Sequence, residues 1–241
     1  MDIPLRHSSL KKRLLALGVG LLLLYLLTAY VIAPAMWVRY ARRHPSFDEI
    51  PRITYTRSDH PGDPLNVSLI GTERQLKTIM VAAKWYPADP LSFRSCLEIA
   101  SATVLKRPYD AAPVSSLYLY GRKEDLAFEQ PVGKDPRHRH HVRFWHTAQA
   151  DPDGRPVWIG ADIFDKKVGF SHTTGQITHH TGADVDAERD YLFRCLERTG
   201  DLLEVFFVND FHKIREGKNG GGDPWHTDGN LYTGVIRSDL P

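Results

Sequence analysis

Cysteine is nearly missing from these 241 residues: there are two, Cys96 and Cys195. Neither sits in a redox motif, so dithiol redox chemistry has no support. They permit one disulfide; otherwise they are two small buried apolar residues. Several fixed-spacing motifs are missing as well. No H-E-x-x-H occurs, GKNGGGDP at 217–224 does not keep the G-x-x-x-x-G-K-[ST] spacing, and no serine stands in G-x-S-x-G. A zincin-type protease, a P-loop phosphate cradle and a nucleophile elbow therefore have no support. The chain has no internal repeat. Ser171 and His172 are neighbours without a nucleophile motif around them, and His226 and Asp228 read as part of a turn.

Charge is missing from one long stretch. Between Leu14 and Val38 there is no Asp, Glu, Lys or Arg. Roughly 20 apolar residues cross a bilayer core, so this run is long enough to span it with some tilt. Tyr30 and Trp37 near its far end suit the interfacial aromatic belt. Ala33-Pro34-Ala35 offers a small-x-small cleavage pattern, but the run exceeds the ~7–15 residues of a signal-peptide core. No cysteine follows it closely, which excludes lipoprotein processing. An uncleaved single-pass anchor is expected. Four Lys/Arg precede the span and three follow it closely, a small excess that favours an inside N-terminus and an extracytoplasmic body.

The net charge of +2 hides a division. Residues 1–45 carry seven Lys/Arg against one acid, which leaves 24 bases and 28 acids for the remainder. A mildly acidic body lacks the basic face that nucleic-acid binding needs.

Hydrophobic periodicity organises what is there. Residues 1–13 are a basic segment, 14–38 the transmembrane helix, 39–65 a proline-bearing linker, and 66–241 a domain. Within the domain, NVSLIG (66–71) reads as a strand. TERQLKTIMVAAKW (72–85) follows as a helix with Thr72 as N-cap and a stripe of Leu76, Ile79, Met80 and Ala83. PLSFRSCLEIASATVL (90–105) reads as a second helix, with Leu91, Cys96, Ile99 and Val104 among its apolar positions. SSLYLYGR, HHVRFWH, PVWIGADIF and GQITHH read as strands. DVDAERDYLFRCLERTG (184–200) is a third helix, with acids in its first turn, Gly200 at its end, and Tyr191, Leu192, Cys195 and Leu196 facing the core. LLEVFFV (202–208) has the unbroken apolar character of a strand buried on both faces. A Gly-rich loop (212–230) and a last strand (231–237) complete an α+β domain with a mainly antiparallel sheet and about three packed helices.

The segment RHRHHVRFW (137–145) concentrates the candidate chemistry. Strand alternation puts His138, His140, Val142 and Phe144 on one face and Arg137, Arg139, His141, Arg143 and Trp145 on the other. Asp151-Pro152-Asp153-Gly154 signals a turn. Closing it with Ala150 opposite Arg155 pairs Trp145 with Gly160, Phe144 with Ala161, Arg143 with Asp162, Val142 with Ile163 and His140 with Asp165. Apolar then meets apolar, and charge meets charge. In that register His140, Asp165 and His179 converge as a catalytic trio. His138, His140, Asp165, His179 and Glu188 together offer ligands for a divalent metal such as Zn²⁺. Three readings stand: a metal-assisted hydrolase, metal-free acid–base chemistry, or a satisfied polar cluster that binds nothing. On the other face Arg137, Arg139 and Arg143, with His141, form an exposed basic row. It either holds an anionic headgroup or polyanion or is a solvated strand face with Arg143 tied to Asp162, the second being the commoner outcome for surface charges.

GDPLNVSLIG, KWYPADP, LYGRKEDLAFEQPVG, RHRHHVRFW, VWIGADIFD and ITHHTGADVDAERDYL together resemble the LssY C-terminal domain family. This bacterial domain is linked by name to a type I secretion component. It occurs behind a membrane segment or fused to multi-pass DedA-like or phosphatidic-acid-phosphatase-like regions. The resemblance supplies no catalytic residues. This chain has a single span and no P-S-G-H phosphatase motif, so phosphatase activity does not carry over. The expectation is a membrane-anchored accessory or binding protein of the bacterial inner membrane. Its expected partners are the bilayer, through residues 14–38, and a membrane-protein or secretion component; the alternative is a metal-assisted hydrolase.

Overall fold

The computed structural model describes residues 7–43, 47–88, 116–133, 138–173 and 177–240. It divides into two units, residues 1–45 and 46–241. The first is helical: α1 (His7–Leu27), a five-residue π turn (Thr28–Ile32) and α2 (Ala33–Arg43). Pro34 has no amide hydrogen to give the preceding turn, and the helix absorbs the missing bond as a π turn just before it. The apolar stretch Lys12–Tyr40 runs 29 residues, long and apolar enough to cross a membrane.

The second unit is an α+β fold around one large sheet. The strands are β1 (Ile53–Tyr55), β2 (Pro61–Pro64), β3 (Val67–Ile70), β4 (Tyr86–Pro87), β5 (Tyr118–Leu119), β6 (Arg122–Lys123), β7 (Leu126–Pro131) and β8 (Arg139–Ala150). They continue with β9 (Pro156–Phe170), β10 (Ile177–Thr181), β11 (Leu202–Val208), β12 (Glu216–Lys218), β13 (Pro224–His226) and β14 (Leu231–Ile236). The large sheet runs β11-β14-β3-β9-β8-β7-β4, with β10 on the far half of β9; its β14–β3 pair is parallel and its other pairs are antiparallel. A small sheet has the order β2-β1-β5-β6, and β12 and β13 form a hairpin of their own.

Two helices pack on the large sheet. Helix α3 (Glu73–Ala82) starts in a capping box: Thr72 Oγ1 accepts from Gln75 N at 3.2 Å, and Gln75 Oε1 accepts from Thr72 N at 2.9 Å. Helix α4 (Val185–Glu197) is capped by Asp184, which accepts from Ala187 N at 3.1 Å. Their apolar stripes join Val142, Phe144, Phe128 and Trp158 in one core cluster. The opposite sheet face, carrying Trp145, Ile159 and Ala161, is covered by Leu117 and Leu119 of the small-sheet segment with Phe47, Ile50 and Phe211. Both faces are therefore interior over residues 141–145 of β8 and 157–163 of β9. Burial of each large apolar side chain stabilises the fold by about 2–3 kcal/mol. Packing is close at Gly160, where a Cβ would come within 2.8 Å of Arg143 O and Phe144 Cδ1.

The structure corrects four expectations. The β8–β9 register is shifted by one: Arg139 pairs with Asp165, Val142 with Asp162, Arg143 with Ala161, Phe144 with Gly160 and Trp145 with Ile159. Ala150 stands opposite Pro156, and an irregularity between His146 and Ala150 absorbs the difference. The apolar pattern fails to select this register because both faces are buried, so a one-residue slip moves no apolar side chain into water. LLEVFFV lies at the sheet edge instead of being covered on both sides, with Leu203 67% and Phe207 56% exposed. β1 and β2 lie within the stretch expected as linker. The Gly-rich loop contains the β12–β13 hairpin. The helix expected over 90–105, with Cys96, lies outside the described residues; Cys195 is a buried free thiol.

Candidate functional site

The register decides which polar groups meet. Asp165 shares its face with Arg139 and His141, so the carboxylate expected beside His140 lies on the other side of the sheet. Arg139 Nε is 3.0 Å from Asp165 Oδ2, and Arg139 Nη1 is 2.8 Å from Glu129 Oε2. His141 Nδ1 lies 2.9 Å from the same Asp165 oxygen, and its Nε2 is 2.8 Å from Arg143 Nη1. Arg143 reaches Asp63 Oδ2 at 3.3 Å, and Arg139 Nη2 is 3.4 Å from His179 Nε2. The expected exposed basic row is thus corrected. Arg139 is 2% and Arg143 4% exposed, because the small sheet and its neighbours cover that face. Arg137 lies outside the described residues.

The protonation pattern follows from this packing. Burial drives the His141 imidazole down to about 4; Asp165 opposes that fall, while Arg143 reinforces it. A neutral His141 with its proton on Nδ1 donates to Asp165 and accepts from Arg143 through Nε2, so one tautomer accounts for both contacts. Burial alone would raise the Asp165 carboxyl, yet His141, His179 and Arg139 outweigh it and hold it well below the carboxylate range. Burial likewise lowers His179, against the pull of Asp165. These groups form an internal ion network in which Asp165 is ionised and held through Oδ2, while its buried Oδ1 has no hydrogen-bond partner among the described residues.

The remaining candidates face the helices. His140 Nδ1 is 2.5 Å from Glu188 Oε2, with each side chain 13% exposed. The His140 ring stacks on Tyr191, with centroids 4.1 Å apart and planes at 18°, and it is flanked by Phe164 and Trp85. The structure therefore brings together His140 and Glu188, and separately Asp165 and His179, while His138 is exposed. Such a His–Glu pair could exchange a proton with a bound molecule. Buried near it is Asp162, fully enclosed, whose two carboxyl oxygens have no hydrogen-bond partner among the described residues. Burial, then the charge of Glu188, raises this carboxyl well above its ordinary range.

Two polar constellations escaped the sequence reading. Arg189, buried in α4, pairs both guanidinium nitrogens with Asp228 at 2.9 and 3.0 Å, binds Asp186 at 3.0 Å, and lies over the Tyr232 ring. Asp228 is thereby more than a turn residue. His172, His180 and Asp223 also meet, from three separate segments. Their sequence separations match no metal motif; the only local sign was the glycine run at 220–222, which allows close approach of backbone.

Comparison with family models matches residues 47–231 to the model described as LssY C-terminus. Comparisons with curated proteins and with solved structures gave no match.

Proposed function

The chain belongs to the LssY C-terminus family, and we propose that it serves there as a membrane-tethered accessory domain of the bacterial envelope, without catalysis of its own. The helix at Lys12–Tyr40 is the tether, and the small Lys/Arg excess before it favours an extracytoplasmic domain on the inner membrane. One observation carries the reading: the groups expected to form a reaction centre are divided between the two faces of the sheet. The half that holds Asp165 and His179 is bound up with buried arginines. A network of this kind gives the β8–β9 hairpin rigidity and a defined register, which suits a platform for a membrane-protein or secretion partner.

The test is extraction of the full chain from native membranes in mild detergent, followed by size separation. An accessory component migrates as a complex larger than itself, and His140→Ala leaves that complex intact. Migration only as the free chain, or a hydrolytic activity of the full chain abolished by His140→Ala, would replace this reading with the hydrolase. A reporter fused at the C-terminus checks the membrane side independently.

A further inference from the structure

We propose that His172, His180 and Asp223 form a divalent-cation site, with Zn²⁺ the ion that best fits the donor set. The three residues each present a ligand atom, all within 4.8 Å of one another. His180 Nδ1 lies 2.8 Å from Asp223 Oδ1, and His172 Nε2 lies 3.9 Å from the same oxygen. Ligands about 2.1 Å from a tetrahedral zinc stand roughly 3.3–3.5 Å from one another. The two Asp223 separations, 2.8 and 3.9 Å, bracket that value, so an ion needs shifts of only about half an ångström at those two contacts.

The surroundings hold these atoms in place. Asp223 is buried, its Oδ2 accepts from Thr181 N at 3.2 Å, and its own N donates to Asn219 Oδ1 at 3.0 Å. His172 is carried by a clamp on the glycine turn: its N donates to Gly221 O at 2.9 Å, and Thr173 Oγ1 donates to Gly220 O at 2.5 Å. Gly222 has φ +87°, and a Cβ there would sit 2.9 Å from His172 Cβ, so the approach of the histidine depends on glycine at this position. Gly169 does the same under His180, where a Cβ would lie 2.8 Å from Nε2. Among the described residues, the ion partners of the Asp223 carboxylate are these two histidines. A buried carboxylate with imidazole neighbours is the charge pattern of a divalent ion's ligand sphere.

Two ligands are buried while His172 is 67% exposed, so the fourth position faces solvent. The ion would tie three segments together: the β9–β10 connection through His172, β10 through His180, and the β12–β13 hairpin through Asp223. The site shares no ligand with the His140–Glu188 pair or with the ion network of Arg139 and Arg143; Asn219 links it to that network, accepting from Asp223 N at 3.0 Å and donating to Asp63 Oδ1 at 3.5 Å.

The experiment uses the full chain in detergent micelles, free of any polyhistidine tag, stripped with chelator and dialysed against Zn²⁺. Wild type is expected to retain one Zn²⁺ per chain by elemental analysis, and added Zn²⁺ to raise its unfolding temperature. His172→Ala removes an exposed ligand with little threat to folding; it should weaken Zn²⁺ binding by ~100-fold or more and abolish the thermal shift. Asp223→Asn should lose the ion, and His140→Ala should keep it. Co²⁺ gives a second readout, a visible ligand-field band that disappears in His172→Ala. Wild-type protein with no Zn²⁺ above the dialysis blank overturns the proposal. So does Zn²⁺ affinity unchanged in the His172→Ala/His180→Ala pair.

Discussion

Arg139 stands directly opposite Asp165 across the β8–β9 hairpin, with its Nε 3.0 Å from the Asp165 Oδ2. Arg139 is 2% exposed, and its Nη1 also holds Glu129. Arg139→Ala leaves two carboxylates buried without their cation, so a loss of about 3–5 kcal/mol is expected in chemical denaturation. A loss below about 1 kcal/mol would mean that water reaches the network.

The same network makes stability fall on acidification. His141 has a lowered folded pKa, about 4 against an ordinary 6.5, so between those values the unfolded chain takes up a proton that the folded chain refuses. Stability should therefore decline from pH 6.5 to 4, on the order of 3 kcal/mol in all. Asp165 is also lowered, so its contribution is present above the ordinary carboxylate value and is lost below it. Urea midpoints measured across this range check the sign, and His141→Gln should flatten the upper part.

Asp162 behaves oppositely. Its carboxyl is raised by burial, so the folded state favours the neutral acid and ionisation costs stability as pH rises above the ordinary value. Asp162→Asn, a neutral isostere, is expected to be neutral or stabilising at pH 7. The neighbouring Asn66→Ala should cost about 2–3 kcal/mol, since the Asn66 amide donates to Asp162 O and Val185 O and accepts from Asp162 N. Thermal unfolding of the two variants side by side separates these signs.

Arg189 joins α4 to the loop before β14 through Asp228, while Asp186, one turn earlier in the same helix, accepts from Arg189 and from Thr227 of that loop. Arg189→Ala leaves Asp186, Asp190 and Asp228 facing one another. Asp190 and Asp228 are 40% and 42% exposed, so solvent relieves part of the repulsion. A loss of about 2–3 kcal/mol is expected by calorimetry, and Arg189→Lys should recover only part of it, because lysine cannot make the paired contact with Asp228.

Local signals predicted α3 and α4 well. The Thr72 cap, the Leu76–Ile79–Met80–Ala83 stripe and the Asp184 start are each written within one or two helical turns. Likewise, alternation along 137–145 separates the His140 row from the Arg139 row, as the structure has it. The pairing between strands is another matter. It depends on the irregularity between His146 and Ala150 and on what covers each face, neither of which leaves a mark inside a nine-residue window.

By itself the sequence determined an apolar N-terminal helix, an α+β body with a mainly antiparallel sheet, and two unlike rows in one strand. Each follows from spacing along the chain. Only the tertiary structure decided that Arg139 and Arg143 are interior, that Asp165 belongs to Arg139 and His141 and not to His140, and that His172 and His180 meet Asp223. Those relations join residues 8 to 51 positions apart through register and layer packing, where a one-residue slip changes every partner but leaves the local pattern unchanged.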